Sequence, residues 1–420
     1  MRPPTRYPVS AMRAISVIII LLAVGGQSMA KWNQDRFEIG AWRPPPANFT
    51  TDEVYAQMAE AGFTLLTGAG QETPEKGKAY LDLCRRHGIK VLARDSRVSM
   101  DSGTPFDPKA LDAMIADYKD HPALYGWFIK DEPSGDQYPR LGEIQAHLQK
   151  KDPSHLPYIN LFPCYGGPTQ LAFDDYDGYV KGFVNTVKPS MISFDHYMFL
   201  RNGSLRGDFF RNLEITRREA LEAGIPLWVI IQALEDATRY RPPTLAQMYW
   251  QVNCSLAYGT KSIWYYPYWS SGDPAKPEEW HYLGVVLPDG KPGPQYASAK
   301  EINPKLKALG PLLMKLKSVS VTHLGDVPLG AKAFKADDLI KEASGDQIII
   351  GRFEDKSGKP YLMLVNRDYD KPGKVTLTLN ASKVEEVGGL SPSTVNCLLF
   401  TPGKPLTLGP SELRILRIER

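Results

Sequence analysis

The stretch Leu221–Ile231, LEAGIPLWVII, runs from a helical segment into an unbroken apolar run, and Gly224 stands at the joint. A glycine just past a helix end adopts the left-handed conformation at little cost, so the chain can reverse into a strand within a few residues. The same phrase recurs as AEAGFTLL from Ala59, RRHGIKVLA from Arg85 and LAYGTKSIWYY from Leu256. Repeated helix–glycine–strand units imply parallel strands joined by crossover helices.

Working outward, apolar runs bounded by turn residues fall at Phe37–Trp42, Phe63–Thr67, Lys90–Asp95, Leu124–Asp131, Leu156–Phe162, Met191–Tyr197, Leu227–Gln232 and Ser262–Tyr266. Helical stretches separate them, such as Thr51–Ala61, where Thr50 and Glu53 have the spacing of a capping box. Eight such strands predict an α/β fold, a closed (β/α)8 TIM barrel, in preference to an open doubly wound sheet. No GxGxxG or GxxxxGK[ST] turn follows the first strand, which argues against the open alternative. After a last helix over Ile302–Leu316 the composition changes to short runs such as QIIIGRF, PYLMLVNRD, KVTLTLN and LRILRIE, broken by Gly, Pro, Asn and Asp. These predict a small antiparallel β-sandwich over residues 319–420, with the barrel occupying 31–318.

The first thirty residues stand apart. Arg2, Arg6 and Arg13 precede the apolar run Ala14–Val24, and Ser28-Met29-Ala30 offers small residues where a signal peptidase cuts. Eleven apolar residues are too few for a spanning helix, which needs about 20. The expectation is a signal peptide, export to the periplasm or outside the cell, and no membrane attachment after cleavage. Removing three arginines and no acids from a formal charge of +3 leaves a chain near neutrality. Phosphate binding needs a basic excess, so nucleic acid is excluded in favour of a neutral or small polar ligand. Cys84, Cys164, Cys254 and Cys397 are widely spaced, form no CxxC pair and suggest no metal site. Cys84 and Cys254, on helical stretches, read as buried free thiols.

In a (β/α)8 barrel the working residues lie at the C-terminal ends of the strands. Those ends carry Trp42-Arg43, Arg94-Asp95, Asp131-Glu132, Asn160, Asp195-His196-Tyr197, Gln232 and the stretch Trp264–Trp269, which includes Tyr265. Carboxylates, amides and aromatics on one rim suit a sugar, whose ring faces stack on aromatics while its hydroxyls take the polar groups. Asp95 also reads as a cap or turn residue, and FDDYDGY from Phe173 reads as a helix cap because the distal Glu of a calcium loop is missing. Two adjacent acids ending an apolar strand are a stronger signal, since like charges placed together cost energy unless function needs them.

GWFIKDEP at the fourth strand, SFDHY at the sixth, IWYYPYW at the eighth and LPDGKPGPQYASAKEINPKL before the last helix together carry a family likeness. The chain resembles clan A retaining glycoside hydrolases, especially β-galactosidase-like bacterial members with a C-terminal β-domain. The resemblance implies cleavage of an O-glycosidic bond in an oligo- or polysaccharide, without metal or organic cofactor. It makes Glu132 the general acid/base, puts Asp131 where the family has Asn on the sugar 2-hydroxyl, and makes Trp269 an aromatic platform. Asn160, His196, Tyr197, Gln232, Tyr265, Trp42 and Asp95 remain as substrate-binding candidates. The seventh strand departs from the pattern, with Gln232 where the nucleophilic Glu belongs; Glu235 and Asp195 are the candidates to replace it.

Two alternatives stay open. Asp131-Glu132 also resembles the pair in substrate-assisted β-N-acetylhexosaminidases, in which the sugar's own acetamido oxygen attacks and a tyrosine, here Tyr197 or Tyr265, holds it. The other alternative is a carbohydrate-binding barrel without catalysis. In either enzymic reading Glu132 is expected to titrate above about 4.3, because Asp131 disfavours a second charge beside it.

Overall fold

A computed structural model describes residues 32–71, 73–97, 106–273, 275–392, 401 and 403–420. The expected signal peptide and Cys397 lie outside the described residues. Eight strands, β1 Glu38–Ala41, β2 Leu65–Gln71, β3 Lys90–Asp95, β4 Leu124–Asp131, β5 Leu156–Asn160, β6 Ile192–His196, β7 Leu227–Gln232 and β8 Ser262–Tyr266, form one parallel sheet. Its order runs β5-β4-β3-β2-β1-β8-β7-β6. Its two ends meet through a parallel bridge between Leu161 and Phe194 and a 2.8 Å bond from the Leu161 amide to the Ser193 carbonyl, which close the barrel. The helices are α1 Asp52–Glu60, α2 Pro74–Arg86, α3 Pro108–Tyr118, α4 Tyr138–Lys151, α5 Pro168–Leu171, α6 Tyr176–Val187, α7 Phe209–Ala223, α8 Leu245–Ala257 and α9 Pro294–Lys315. No described helix is long and apolar enough to cross a membrane.

The four glycines at helix–strand joints, Gly62, Gly88, Gly224 and Gly259, all have φ between 67° and 88°, the conformation for which glycine is the cheapest residue. Asp175 caps α6 by accepting a 2.7 Å bond from the Gly178 amide. The cap of α1 is Thr51 rather than Thr50; its hydroxyl takes the Val54 amide, while the Thr50 hydroxyl turns back to the Pro46 carbonyl. Helix α9 starts eight residues before the predicted Ile302 and runs through Pro304 and Pro311. Each proline removes a backbone bond, and tertiary contacts compensate: Asn303 donates to the Ala61 carbonyl at 2.8 Å and accepts from the Tyr265 hydroxyl at 2.7 Å.

Inside the barrel, Trp42, Leu92, Phe128, Tyr158, Trp228, Ile230 and Trp264 form a core of their own. Trp264 stacks on Trp228 and Tyr158, each at 5.9 Å between centroids. Such bulk fits only where a neighbouring strand yields space. Gly40 pairs in register with Trp264, and a Cβ on it would fall 1.8 Å from the Trp264 ring. The outward faces of the strands and the inner faces of the helices make the larger core.

The second domain adds β9 Lys317–His323, β10 Ile340–Gly345, β11 Ile348–Glu354, β12 Pro360–Asn366, β13 Gly373–Leu379, β14 Lys383–Leu390, β15 Leu406–Leu408 and β16 Leu413–Glu419. A five-stranded antiparallel sheet, β14-β16-β12-β11-β9, faces a three-stranded one, β10-β13-β15. Ile348, Ile350, Leu362, Leu364, Leu416 and Ile418 fill the space between the sheets. The alternate residues Ile349, Phe353, Met363, Val365, Leu413 and Ile415 belong to the barrel's outer core. Being buried on both faces explains why these strands read as nearly continuous apolar runs.

Candidate active site

The residues at the C-terminal rim are sorted by the two-residue alternation of strands. On β6, Ser193 and Asp195 face inward with the following Tyr197, while His196 faces out against α7. On β5, Tyr158 and Asn160 face inward; on β8, Trp264 and Tyr266 do so while Tyr265 faces out. Strand β4 breaks the rule, because its register against β5 shifts between Phe128 and Lys130. An extra residue of this kind re-aims the side chains after it, and Asp131 is delivered inward beside Asn160. The next residue, Glu132, has φ of 46°, a left-handed backbone that is costly for a side-chain-bearing residue. Its amide still completes the ladder with a 2.8 Å bond to the Asn160 carbonyl, and Pro133 ends the strand. Non-glycine residues held in this region cluster at functional sites.

The result is a cavity of 280 Å³ lined by Trp42, Asp131, Glu132, Asn160, Tyr165, Gln170, Asp195, Tyr197, Ile230, Leu234, Arg239, Tyr240, Tyr266 and Tyr282. Tyr197 lies parallel to Tyr266 with 5.4 Å between centroids and meets Tyr240 edge-on at 5.7 Å. Asn160 organises the acids. Its Nδ2 donates to Asp195 Oδ1 at 2.9 Å and to Asp131 Oδ1 at 3.1 Å, and its Oδ1 accepts from the Ser193 hydroxyl at 2.9 Å. Since Ser193 has one proton and spends it on Asn160, the 2.9 Å contact between Ser193 and Tyr158 has Tyr158 as donor. The chain Tyr158–Ser193–Asn160 therefore points protons toward Asp131 and Asp195.

Glu132 receives no hydrogen bond from any described residue. Burial raises its carboxyl well above the ordinary carboxylate range, and the charges of Asp195 and Asp131 raise it further. Asp195 is raised too, by burial and then Asp131, but the Asn160 amide and the Tyr197 hydroxyl oppose the shift. Asp131 opens onto the cavity, yet dense surrounding protein raises its carboxyl, opposed first by Asn160 and then by the charges of Arg94 and Lys130. The expectation that Glu132 titrates high agrees with the site, with burial as the larger cause rather than Asp131. Asn160 opposes the rise at Asp131 and Asp195 while no hydrogen bond opposes it at Glu132, which favours the shared proton on Glu132.

Trp42, Asp131, Glu132, Asn160, Asp195 and Tyr197 are thus brought together. Six other predicted site residues are not. Gln232 is fully buried, accepting from the Phe199 amide at 2.8 Å and donating to the carbonyls of Phe199, Leu234 and Arg241, so every polar atom of its amide is occupied. Glu235 turns to Arg201, 3.1 Å away, and its backbone pairs with Leu283. Asp95 pairs with Arg97 at 2.7 Å, His196 with Asp208 at 2.9 Å, and the Tyr265 hydroxyl is bound to Asn303. Trp269 is buried against Phe49 at 4.9 Å. Tyr165, Arg239, Tyr240 and Tyr282, on loops beyond the strand ends, and Gln170, on the short helix α5, escaped sequence reasoning because none of them lies on a barrel strand. Tyr266 could have been found from its two-residue spacing after Trp264.

Among the described residues, one group places metal-ligating atoms close together: Cys164, His196 and Asp208, within 4.8 Å of one another. Hydrogen bonds account for that proximity, since His196 bonds to the Asp208 carboxylate and the Cys164 thiol donates to the Asp208 carbonyl at 3.4 Å. Burial raises the Cys164 thiol, away from the thiolate a metal needs. Cys84 and Cys254 are free and buried.

No family model matches the sequence, and no curated protein matches it. Solved structures do. A candidate alpha-galactosidase/melibiase from Bacteroides fragilis NCTC 9343 matches with TM-score 0.50 and 13% identity over 91% of this chain and 79% of that one. A family 39 glycoside hydrolase from Bacteroides cellulosilyticus WH2 matches with TM-score 0.47 and 14% identity over 91% and 81%. The beta-galactosidase of Marinomonas ef1 matches with TM-score 0.47 and 12% identity over 65% of this chain and 60% of its own length. At these identities the likeness is one of fold, and chemistry has to be argued from the cavity.

Proposed function

We propose that the protein is an exported glycoside hydrolase acting on an oligo- or polysaccharide, with Glu132 as general acid and Asp195 as its ionised partner. One observation carries the reading: three carboxylates meet in a tyrosine-walled cavity, and Asn160 donates hydrogen bonds to two of them and leaves the third, Glu132, without any. Glu132 gives its proton to the glycosidic oxygen as the bond to the anomeric carbon breaks, and the bonding pair leaves with that oxygen. Asp195 supports the cationic carbon, either by bonding to it or by taking a proton from an attacking water. The tyrosine walls supply apolar faces for the sugar ring. With Gln232 and Glu235 both engaged elsewhere, Asp195 is the available enzymic partner.

The substrate-assisted reading stands beside this one because Asp131 and Glu132 face the same cavity, where Asp131 would orient an acetamido group and Tyr197 would hold its oxygen. A panel of aryl glycosides with and without a 2-acetamido group separates them. Cleavage confined to acetamido sugars favours substrate assistance; cleavage of plain hexosides favours Asp195. In either case Glu132→Gln is expected to lower turnover of a natural linkage about 10²- to 10⁴-fold, and Asp195→Asn to do so only in the second. Turnover of neither set by the wild type, with binding of a sugar retained, would make the barrel a binding protein. Export rests on Arg2–Ala30 and is tested by fractionating cells and sequencing the mature N-terminus, expected at Lys31.

A further inference from the structure

The charges around the cavity are not those of a site for a neutral sugar. Most arginines elsewhere in the described chain have carboxylate partners: Arg97 pairs with Asp95 and Asp117, Arg201 with Glu235, Arg218 with Asp177 and Glu219. Four arginines, Arg239 in the cavity lining and Arg206, Arg43 and Arg94 next to lining residues, have no carboxylate within ion-pairing distance among the described residues. Arg239 lines the cavity, exposed, with its guanidinium 5.8 Å from the Tyr240 ring centre. Arg206 lies 3.9 Å over the ring of Tyr165 and donates from Nε to the Tyr197 carbonyl at 3.3 Å, which leaves its Nη atoms without a hydrogen bond from these contacts. Arg43 stands near enough to Tyr266 to affect its hydroxyl, and Arg94 lies 5.1 Å over Phe128 on the side of Asp131.

With the proton on Glu132, two carboxylates of the cavity, Asp131 and Asp195, are set against four permanent positive charges, of which Arg94 acts directly on Asp131. Asp236 acts on Arg239 and Arg206 on Asp208 through space without forming an ion pair, and a cleft with low-dielectric walls and a cationic rim focuses a positive potential on whatever enters. Guanidinium groups are also the side chains whose planar fork fits a carboxylate or sulfate oxygen pair. Asn160 holds Asp131 and Asp195, while Arg206 and Arg239 lie against the wall residues Tyr165 and Tyr240, so an anionic substituent has a place apart from the reacting acids.

We infer that the substrate is an acidic glycan, whose carboxylate or sulfate ester is held by Arg239 and Arg206 beside the tyrosine wall. This specificity rests on the glycosidase reading above. The test is binding of the Glu132→Gln protein, measured by calorimetry and on a glycan array of matched acidic and neutral oligosaccharides, alongside wild-type turnover of the same set. Acidic members should bind at least tenfold more tightly than their neutral counterparts, with affinity falling as salt rises. Arg239→Gln combined with Arg206→Gln should weaken binding of acidic members at least tenfold more than binding of their neutral counterparts, removing that preference. Preference for uronates alone or for sulfated sugars alone identifies the anion. Equal binding of neutral members, or acidic binding indifferent to both arginines, overturns the inference. If wild type cleaves neutral glycans with equal kcat/KM, the glycosidase stands and the acidic specificity falls; if nothing is bound or cleaved, both fall.

Discussion

Glu132 holds its proton at a cost to the folded state, and the cost has a sign. Below about pH 4, near the ordinary value for Glu, folded and unfolded chains are both protonated and the site is neutral in stability. Above it the unfolded chain releases a proton that the folded chain retains, so stability falls as pH rises toward the raised folded value. Glu132→Gln should therefore gain stability on the order of 1 kcal/mol at pH 7.5 and none at pH 4, the gain being modest because Glu132 is only partly buried and solvent screening discounts it. Thermal denaturation at the two pH values checks this; equal melting shifts at both would refute it. In the proposed mechanism Glu132 acts protonated and Asp195 ionised, and both carboxyls are raised, so both limbs of the pH–rate profile should lie above the ordinary carboxylate range. Gln232 gives the contrasting residue. Its Nε2 serves three carbonyls, and Gln232→Glu, which restores a carboxylate to the seventh strand, turns that donor into an acceptor facing acceptors. Loss of at least about 3 kcal/mol in denaturant unfolding is expected, without gain in turnover.

Among the elements, β1 and β4 show how strand geometry makes the site. Strand β1 contributes Trp42 to the cavity because Gly40, two residues earlier on the same face, leaves room for Trp264. Gly40→Ala places a methyl inside that ring, and the strand cannot withdraw while paired on both sides. We expect destabilisation of about 3 kcal/mol or more in urea titration, exceeding ordinary overpacking, partly recovered by Trp264→Leu in a double-mutant cycle. Strand β4 acts through its register shift, which presents Asp131 where unbroken alternation after Phe128 would turn it out.

At the scale of the molecule, the β-domain is packed onto α8 through polar anchors as well as apolar area. Asn253 donates to the carbonyls of Leu390 and Ser411 at 2.9 and 2.7 Å, the Ser411 hydroxyl returns a 2.7 Å bond to the Ala246 carbonyl, and Trp250 donates to the Arg367 carbonyl at 2.8 Å. Asn253→Ala strands two buried carbonyls and should cost about 2–4 kcal/mol. Differential scanning calorimetry should then show the domain transitions moving apart, whereas an unchanged single transition would mean that the anchors are dispensable.

The barrel was legible in the order of residues because its signals are local: a left-handed glycine closes each helix, and apolar runs of strand length come directly after it. Glu132, Asp131, Asn160, Asp195, Trp42 and Tyr197 were legible because strand ends in a closed parallel barrel converge whatever their separation in sequence. What a strand end cannot state is which way its last side chain points. His196, Tyr265 and Asp95 face outward by alternation, Trp269 packs against a neighbouring loop, and Gln232 is captured by the backbone of Phe199, a partner 33 residues away in sequence. Tyr165, Arg239 and Tyr282 reach the cavity only because loops fold back over the rim. Sequence thus determined the scaffold and the acids it carries. Sequence pointed to Glu132 as the acid that titrates high; tertiary structure alone decided the cause, since burial raises it most and Asn160 donates to the other two carboxylates and bypasses it.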